Sequence, residues 1–175
     1  GAHPTPLSQE GSLLPEQMDG VDLDASLARI GGNHRLLTRI LINFSQDHQL
    51  TWEEIHHAIE AQELEQARAL VHGLKGVAGN ISATTLHNAA AALEEALIRG
   101  DAEALHLLLE PFKQALVQVL DATQQLAKAQ AAQSTAVEEE EHSHTLEELV
   151  PLVSVLDKYL KKNDFRSQEA FQTLT

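Results

Sequence analysis

Between residues 34 and 61, apolar side chains return every third or fourth position: Leu37, Ile40, Leu41, Phe44, Trp52, Ile55 and Ile59. That period is one stripe of an amphipathic helix, so a single long helix is expected over His34–Ala61, with His48 on the stripe. The same pattern predicts helices over about Leu64–Ile81, Ala83–Ile98 and Ala102–Ala131. The last of these carries Leu105, Leu108, Leu109, Phe112, Leu116, Val119, Leu120 and Leu126 on its apolar face, and Pro111 is expected to kink or break it. A shorter element with Leu23, Leu27 and Ile30 precedes them. Asp22 suits its N-cap, Gly31-Gly32 its end and Asn33 the cap of the next helix, while Gly100-Asp101 supplies a stop followed by a fresh cap.

Short connections between long helices force neighbours to run antiparallel. The expected fold is therefore all-α: an antiparallel up-down four-helix bundle, closed at one end by the short N-terminal helix, over residues 22–131. Residues 1–21 mix Pro, Gly, Ser and Gln without a period and read as a flexible lead-in outside the fold. Residues 132–144 lose the apolar period and include four consecutive glutamates, the pattern of a solvated linker. Beyond them, Leu146, Leu149, Leu152, Val153, Leu156 and Leu160, a turn at Asn163-Asp164 and the segment from Phe165 to Leu174 predict a C-terminal helical hairpin over residues 145–175. That tail can be laid on the central hairpin in a register that sets Thr173 opposite His72, as a half-repeat without its histidine would. Any two amphipathic hairpins align as well.

Composition and charge narrow the function. Aromatic residues are 3% of the chain, and the abundance of Ala, Leu, Glu and Gln favours helices packed by aliphatic side chains. With 12 basic and 26 acidic residues the formal charge is −14, which disfavours nucleic acid and anionic membrane surfaces and points to protein partners. No cysteine is present, which excludes a disulfide framework and thiolate metal sites and fits a reducing, cytoplasmic setting. No stretch reaches the roughly 18 apolar residues of a membrane span. The 175 residues suffice for one helical domain of ordinary size with an appendage.

The chemistry concentrates in Ala67–Ala83. Projected at 100° per residue, Ala67, Leu70, Val71, Leu74, Val77, Ala78 and Ile81 share one face roughly 120° wide. His72 points the other way, with Lys75, Gly76, Gly79, Arg68 and Asn80 on its side. Gly73, Gly76 and Gly79 each cost about 1 kcal/mol relative to alanine inside a helix. Those on the histidine face strip its surroundings and let another protein's backbone come close. An exposed imidazole is largely neutral near pH 7 and so available as a nucleophile. An ammonium one turn away disfavours a second positive charge and can pair with arriving phosphoryl oxygens. One imidazole and one ammonium suffice for phosphoryl transfer if a partner brings the donor and a metal.

The stretch V-H-G-L-K-G-V-A-G-N-I-S-A, Val71 to Ala83, resembles the signature of the histidine-containing phosphotransfer (HPt) family: histidine, any residue, Leu, Lys, Gly, any residue, Ala. HPt modules of this type stand at the C-terminal end of hybrid sensor histidine kinases. The resemblance implies that His72 accepts phosphate through Nε2 from a receiver-domain aspartate and passes it to another receiver. It further implies Lys75 as electrostatic helper, Gly76 as the clearance residue against a docked receiver, and Mg²⁺ held by that receiver with no cofactor in this chain. Arg68, Gly79 and Asn80 would belong to the partner-binding surface, and the module is expected to work as a monomer. The family usually has glycine where this chain has Ser82. On its facing helix the family often has Gln or Glu near the active imidazole; Glu94 stands in that place here, where a plain solvated glutamate is an equal alternative.

Other chemistries fit less well. His56 and His57 are adjacent and diverge by about 100° on a helix, so they do not form a metal pair, and His142 and His144 lie in the acidic run. No metal site is expected. His48 is expected to be a half-buried, hydrogen-bonded core histidine, and His87 and His106 read as surface. The phosphate-binding pattern G-x-x-x-x-G-K-[ST] is missing, so ATP binding and kinase activity are not expected. The dimerisation helix of a sensor kinase has Glu or Asp after its histidine and a proline soon afterwards, whereas Gly73 follows here. The rival of another class is a structural or dimerising helical bundle without phosphoryl chemistry.

Overall fold

The computed structural model describes the backbone of residues 13–172 and the side chains of residues 13–137. The described residues are all-helical: α1 (Leu23–Arg29), α2 (His34–Asp47), α3 (Thr51–Glu60), α4 (Leu64–Asn80), α5 (Thr84–Arg99) and α6 (Ala102–Gln172). No strand occurs among them beyond an isolated bridge between Met18 and Val21. The chain divides into two compact units, Gly1–Gln130 and Ala131–Thr175. No described helix is long and apolar enough to cross a membrane.

The helix starts follow their capping residues. Asp22 accepts the amide of Ala25, Asn33 that of Leu36 and Asp101 that of Ala104, each at 3.0 Å. Each bond satisfies one of the amides a helix leaves unpaired at its first turn. Gly31, Gly32 and Gly100 adopt positive φ where α1 and α5 stop, as a left-handed helix terminus requires.

The helix expected over His34–Ala61 is two helices. Its ladder breaks at His48–Leu50, where His48 (φ −112, ψ 7) and Leu50 (φ −105, ψ 2) leave helical geometry. Two local bonds replace the ladder there: the Thr51 amide donates to the His48 carbonyl, and His48 Nδ1 lies 3.1 Å from Thr51 Oγ1. The apolar stripe survives because one short turn brings Ile55 back onto the face that buries Leu37, Leu41 and Phe44.

Residues 13–21 are not a flexible lead-in. Leu13, Leu14 and Met18 pack on the core and Val21 is buried. At Gly20 (φ +78) the backbone passes so close to α6 that a Cβ would stand 2.9 Å from Val119 Cγ2. The Pro- and Gly-rich composition suggested disorder, but the apolar residues spaced among those breakers find a surface to cover. Residues 1–12 lie outside the described residues.

α6 continues through Pro111 without interruption. The carbonyl that loses its partner belongs to Leu107, which is 66% exposed, so water can satisfy it. α6 also runs through the acidic run and through Asn163-Asp164, in place of the expected linker and turn. Glu, Gln, Ala, Leu and Lys are strong helix formers, and Asn and Asp cost only about 0.7 kcal/mol each in a helix interior, less than breaking one requires. Thr173 lies outside the described residues, as do the side chains of His142 and His144, so the half-repeat register is outside them too.

The core of the first unit joins all six helices. Its largest fully buried side chains include Leu37, Leu41, Ile55, Leu74, Leu86, Leu93, Phe112 and Leu116. α4 packs on α5 and on α3, and Trp52 of α3 meets Phe112 of α6 with ring centroids 6.4 Å apart. α1 is fastened to the α4–α5 turn, where Ser26 Oγ donates to the Ile81 carbonyl at 2.7 Å and the Asp22 amide to that of Ser82 at 3.1 Å.

Candidate functional site

The faces of α4 separate as their spacing dictates. Ala67, Val71, Leu74 and Ala78 are buried in the core, while the side chain of His72 is 66% exposed. Directly across, α5 carries Leu86, Ala90, Leu93 and Leu97 in the core, with Glu94 at the border of that stripe. Glu94 is therefore not a solvated glutamate: its side chain is only 10% exposed. A buried carboxylate requires partners. It has two, since His72 Nδ1 stands 2.7 Å from Oε1 and the Lys75 ammonium donates to Oε2 at 2.5 Å.

This geometry settles the imidazole's protons. A carboxylate has only acceptors, so the ring nitrogen facing Glu94 carries the hydrogen and donates it. In the neutral ring that leaves the lone pair on Nε2, at the solvent end of the side chain. The hydrogen bond from Lys75 holds the Glu94 carboxyl below the usual glutamate range. The bond from His72 adds to this, while burial opposes it. Glu94 therefore stays ionised and keeps the ring's orientation fixed. Lys75, half-buried one turn from His72, supplies positive charge beside the imidazole.

Gly73 and Gly76 lie on the surface, and a Cβ built on either meets nothing within 4 Å. Gly79 differs. It is half-buried beneath the ring of His87, and a Cβ there would come within 3.2 Å of His87 Nδ1. His87 is accordingly not a plain surface residue: its Nδ1 lies 3.0 Å from the Lys75 carbonyl and ties α5 to the turn that bears Lys75. The signal for this was Gly79 itself, a helix-weakening residue facing the next helix. Glu94 stands where the resemblance sets a Gln or Glu near the imidazole, and its burial excludes the solvated alternative.

Arg68 is half-buried and paired with Glu65 on its own helix at 3.0 Å, and Asn80 is exposed at the end of α4. Neither touches the His72–Glu94–Lys75 cluster. His48 is half-buried, with its ring 4.8 Å from that of Phe44, and burial pushes its pKa down. His106 is exposed. Among the described residues no group of three or more His, Asp or Glu is placed to hold a metal ion.

Ser82 stands in the turn after α4 with φ +53, the left-handed region that favours glycine, and its buried Oγ has no hydrogen-bond partner. The glycine usual at this place in HPt signatures has a direct physical cause there.

No curated protein and no solved structure matches the sequence. The family model of the Hpt domain matches residues 39–161, more than half of the chain and the whole of α3, α4 and α5. The chain therefore belongs to the Hpt domain family, whose work is histidine phosphotransfer within a phosphorelay, in contact with receiver domains.

Proposed function

We propose that this chain relays a phosphoryl group between two receiver domains through His72. The observation that carries the proposal is the pairing of an exposed His72 with the buried Glu94, which accepts the hydrogen bond from Nδ1–H and leaves the Nε2 lone pair free. In the forward step the Nε2 lone pair attacks the phosphorus of a receiver's aspartyl phosphate. An N–P bond forms as the acyl P–O bond breaks, and the aspartate leaves as its carboxylate with the bonding electrons. The second step is the same exchange reversed, with a carboxylate of another receiver as nucleophile and the imidazole as leaving group. Neither step consumes ATP.

Lys75 would exchange part of its contact with Glu94 for the oxygens of the incoming group, and Gly76 would leave room for the receiver's backbone. Mg²⁺ would be held by the receiver. Arg68, Gly79, Asn80 and Glu94 fall to this reading as the surroundings of the docking face, Glu94 and Gly79 from beneath it and Arg68 and Asn80 at its rim. The helices would form an antiparallel up-down four-helix bundle, with α2 and α3 together as one member. The module would act as a monomer in the cytoplasm, as part of a hybrid sensor kinase whose kinase domain lies elsewhere.

The test is transfer of labelled phosphate from a panel of phosphorylated receiver domains with Mg²⁺, to wild type and to His72→Gln. The expected label is acid-labile, base-stable and lost in the variant, which should fold normally because the side chain it replaces is largely exposed. A wild-type protein that no receiver labels would favour the structural bundle instead.

A further inference from the structure

Most glycines among the described residues have a cause within the chain. Gly20, Gly31, Gly32 and Gly100 adopt positive φ, and Gly79 makes room for His87. Gly73 and Gly76 remain. Both lie inside α4 without positive φ, and neither would bring a Cβ within 4 Å of another group. Alanine would fit at both in the free chain and would favour the helix. What favours glycine at these two positions therefore lies outside the free chain. Gly76 already has a role as clearance; Gly73 has none.

The surroundings of His72 are also lopsided. At 100° per residue, Gly79, Arg68 and Lys75 lie within roughly 60° of His72 on one side. That flank turns toward α5, since Lys75 reaches Glu94 and Gly79 lies under His87. On the other side, Gly76, Ala69 and Gly73 lie within roughly 100°, and all three are exposed. Within one turn of His72 one flank carries cations and the other only backbone and a methyl group; Glu65 and Asn80 stand on that second side two turns away.

We infer that Gly73 is a partner-contact residue: the receiver domain seats its backbone over the Gly73–Gly76 flank of α4, away from α5. The Lys75 flank then stays open to the phosphoryl oxygens. This rests on the relay function proposed above and adds the side from which the receiver approaches.

Gly73→Ala and Gly73→Gln test it, since both residues suit a helix and a Cβ at this exposed position meets nothing within 4 Å. Three quantities are measured: thermal melting, labelling by phosphoramidate, and labelling by the phosphorylated receiver that serves wild type fastest. Phosphoramidate is a small donor with no surface to clash. Both variants should melt at or above the wild-type temperature, and phosphoramidate should label all three proteins within about twofold. Transfer from the receiver should fall roughly tenfold or more in Gly73→Gln and by less in Gly73→Ala. A Gly73→Gln protein that accepts from the receiver at the wild-type rate overturns the inference and leaves the relay function standing. Labelling of wild type by phosphoramidate but by no receiver would overturn the relay function, and this inference with it.

Discussion

Nδ1 of His72 and Oε1 of Glu94 stand 2.7 Å apart across the α4–α5 contact, joining a largely exposed ring to a carboxylate that is 10% exposed. The buried partner fixes the exposed one. A lone exposed imidazole samples both tautomers and several rotamers, and this one is held in a single arrangement by a group that does not itself move with solvent.

Replacing Glu94 should expose that dependence. Glu94→Gln keeps the shape but removes the charge that Lys75 and His72 both face, so stability should drop by about 1–3 kcal/mol in urea denaturation. The estimate stays at this level because the Lys75 side chain is 27% exposed and can regain water. Labelling of His72 should slow in parallel, since an amide does not choose between tautomers, and ¹⁵N spectra of the ring should show a mixed Nδ1/Nε2 population. A single unchanged tautomer in Glu94→Gln would contradict the proton assignment.

The same carboxyl makes a pH prediction. Its pKa is held below the ordinary value of 4.5 in the folded chain, so it contributes stability that is present above that value and lost as pH falls through the lowered one. Wild type should lose stability more steeply than Glu94→Gln as pH is lowered from about 4.5. Parallel curves would mean that Glu94 titrates alike in folded and unfolded chains.

Much of this arrangement is legible in the sequence, and the exceptions have physical causes. The exposure of His72 and the core face of Ala67, Val71, Leu74 and Ala78 follow from period alone, because a packed helix has only one way to bury that stripe. The caps at Asp22, Asn33 and Asp101 follow from local chemistry. The break at His48–Leu50 does not, since a one-turn interruption leaves the apolar stripe nearly in phase. The packing of residues 13–21 does not either, because it depends on a surface assembled from a distant helix. The resemblance sets Glu94 near the imidazole, but its burial and contacts, like those of His87, depend on how α5 lies on α4, which spacing within one helix does not encode.

His48 should give a pH dependence at higher pH. Burial lowers its pKa below 6.5, against the opposing pull of Asp47 and Glu54, so the unfolded chain binds its proton more readily than the folded one. The stability tied to its neutral form is full above about 6.5 and is lost as pH falls from there through the lowered folded value. Urea midpoints should drop for wild type between pH 7.5 and 5.5 by more than for His48→Gln, both conditions being rough brackets of that range. Equal drops would place the titration in another group.

Ser82 offers a stabilising change. With φ +53 and a buried Oγ lacking a partner, it carries both backbone strain and an unmet polar group. Ser82→Gly should raise stability by about 1 kcal/mol, the relief being partly offset by the greater freedom of glycine in the unfolded chain. The urea midpoint should rise with its slope unchanged. Labelling of His72 should stay at the wild-type rate, because the turn at Ser82 fastens α1 through its carbonyl, which the substitution keeps. A lower midpoint would show that the side chain supports the turn after all.

Gly20 is the opposite case. Its φ of +78 strains any side chain, and a Cβ there would stand 2.9 Å from Val119 Cγ2 on α6, whose residue is itself buried. Neither neighbour has room to retreat: Val119 sits in the core, and the residues on either side of Gly20 are held by the amide of Val21 donating to the Met18 carbonyl at 3.2 Å. Gly20→Ala should therefore lower stability by about 1–3 kcal/mol and free the preceding segment from the core. Proteolysis should then cut within residues 13–21 of the variant under conditions that leave wild type intact at those positions. Because the close passage at Gly20 is against Val119 and Gln118 of α6, the folded fraction of the variant should still take phosphate at the wild-type rate. A variant with full stability and a protected segment would mean that residues 13–21 do not depend on the close passage at Gly20.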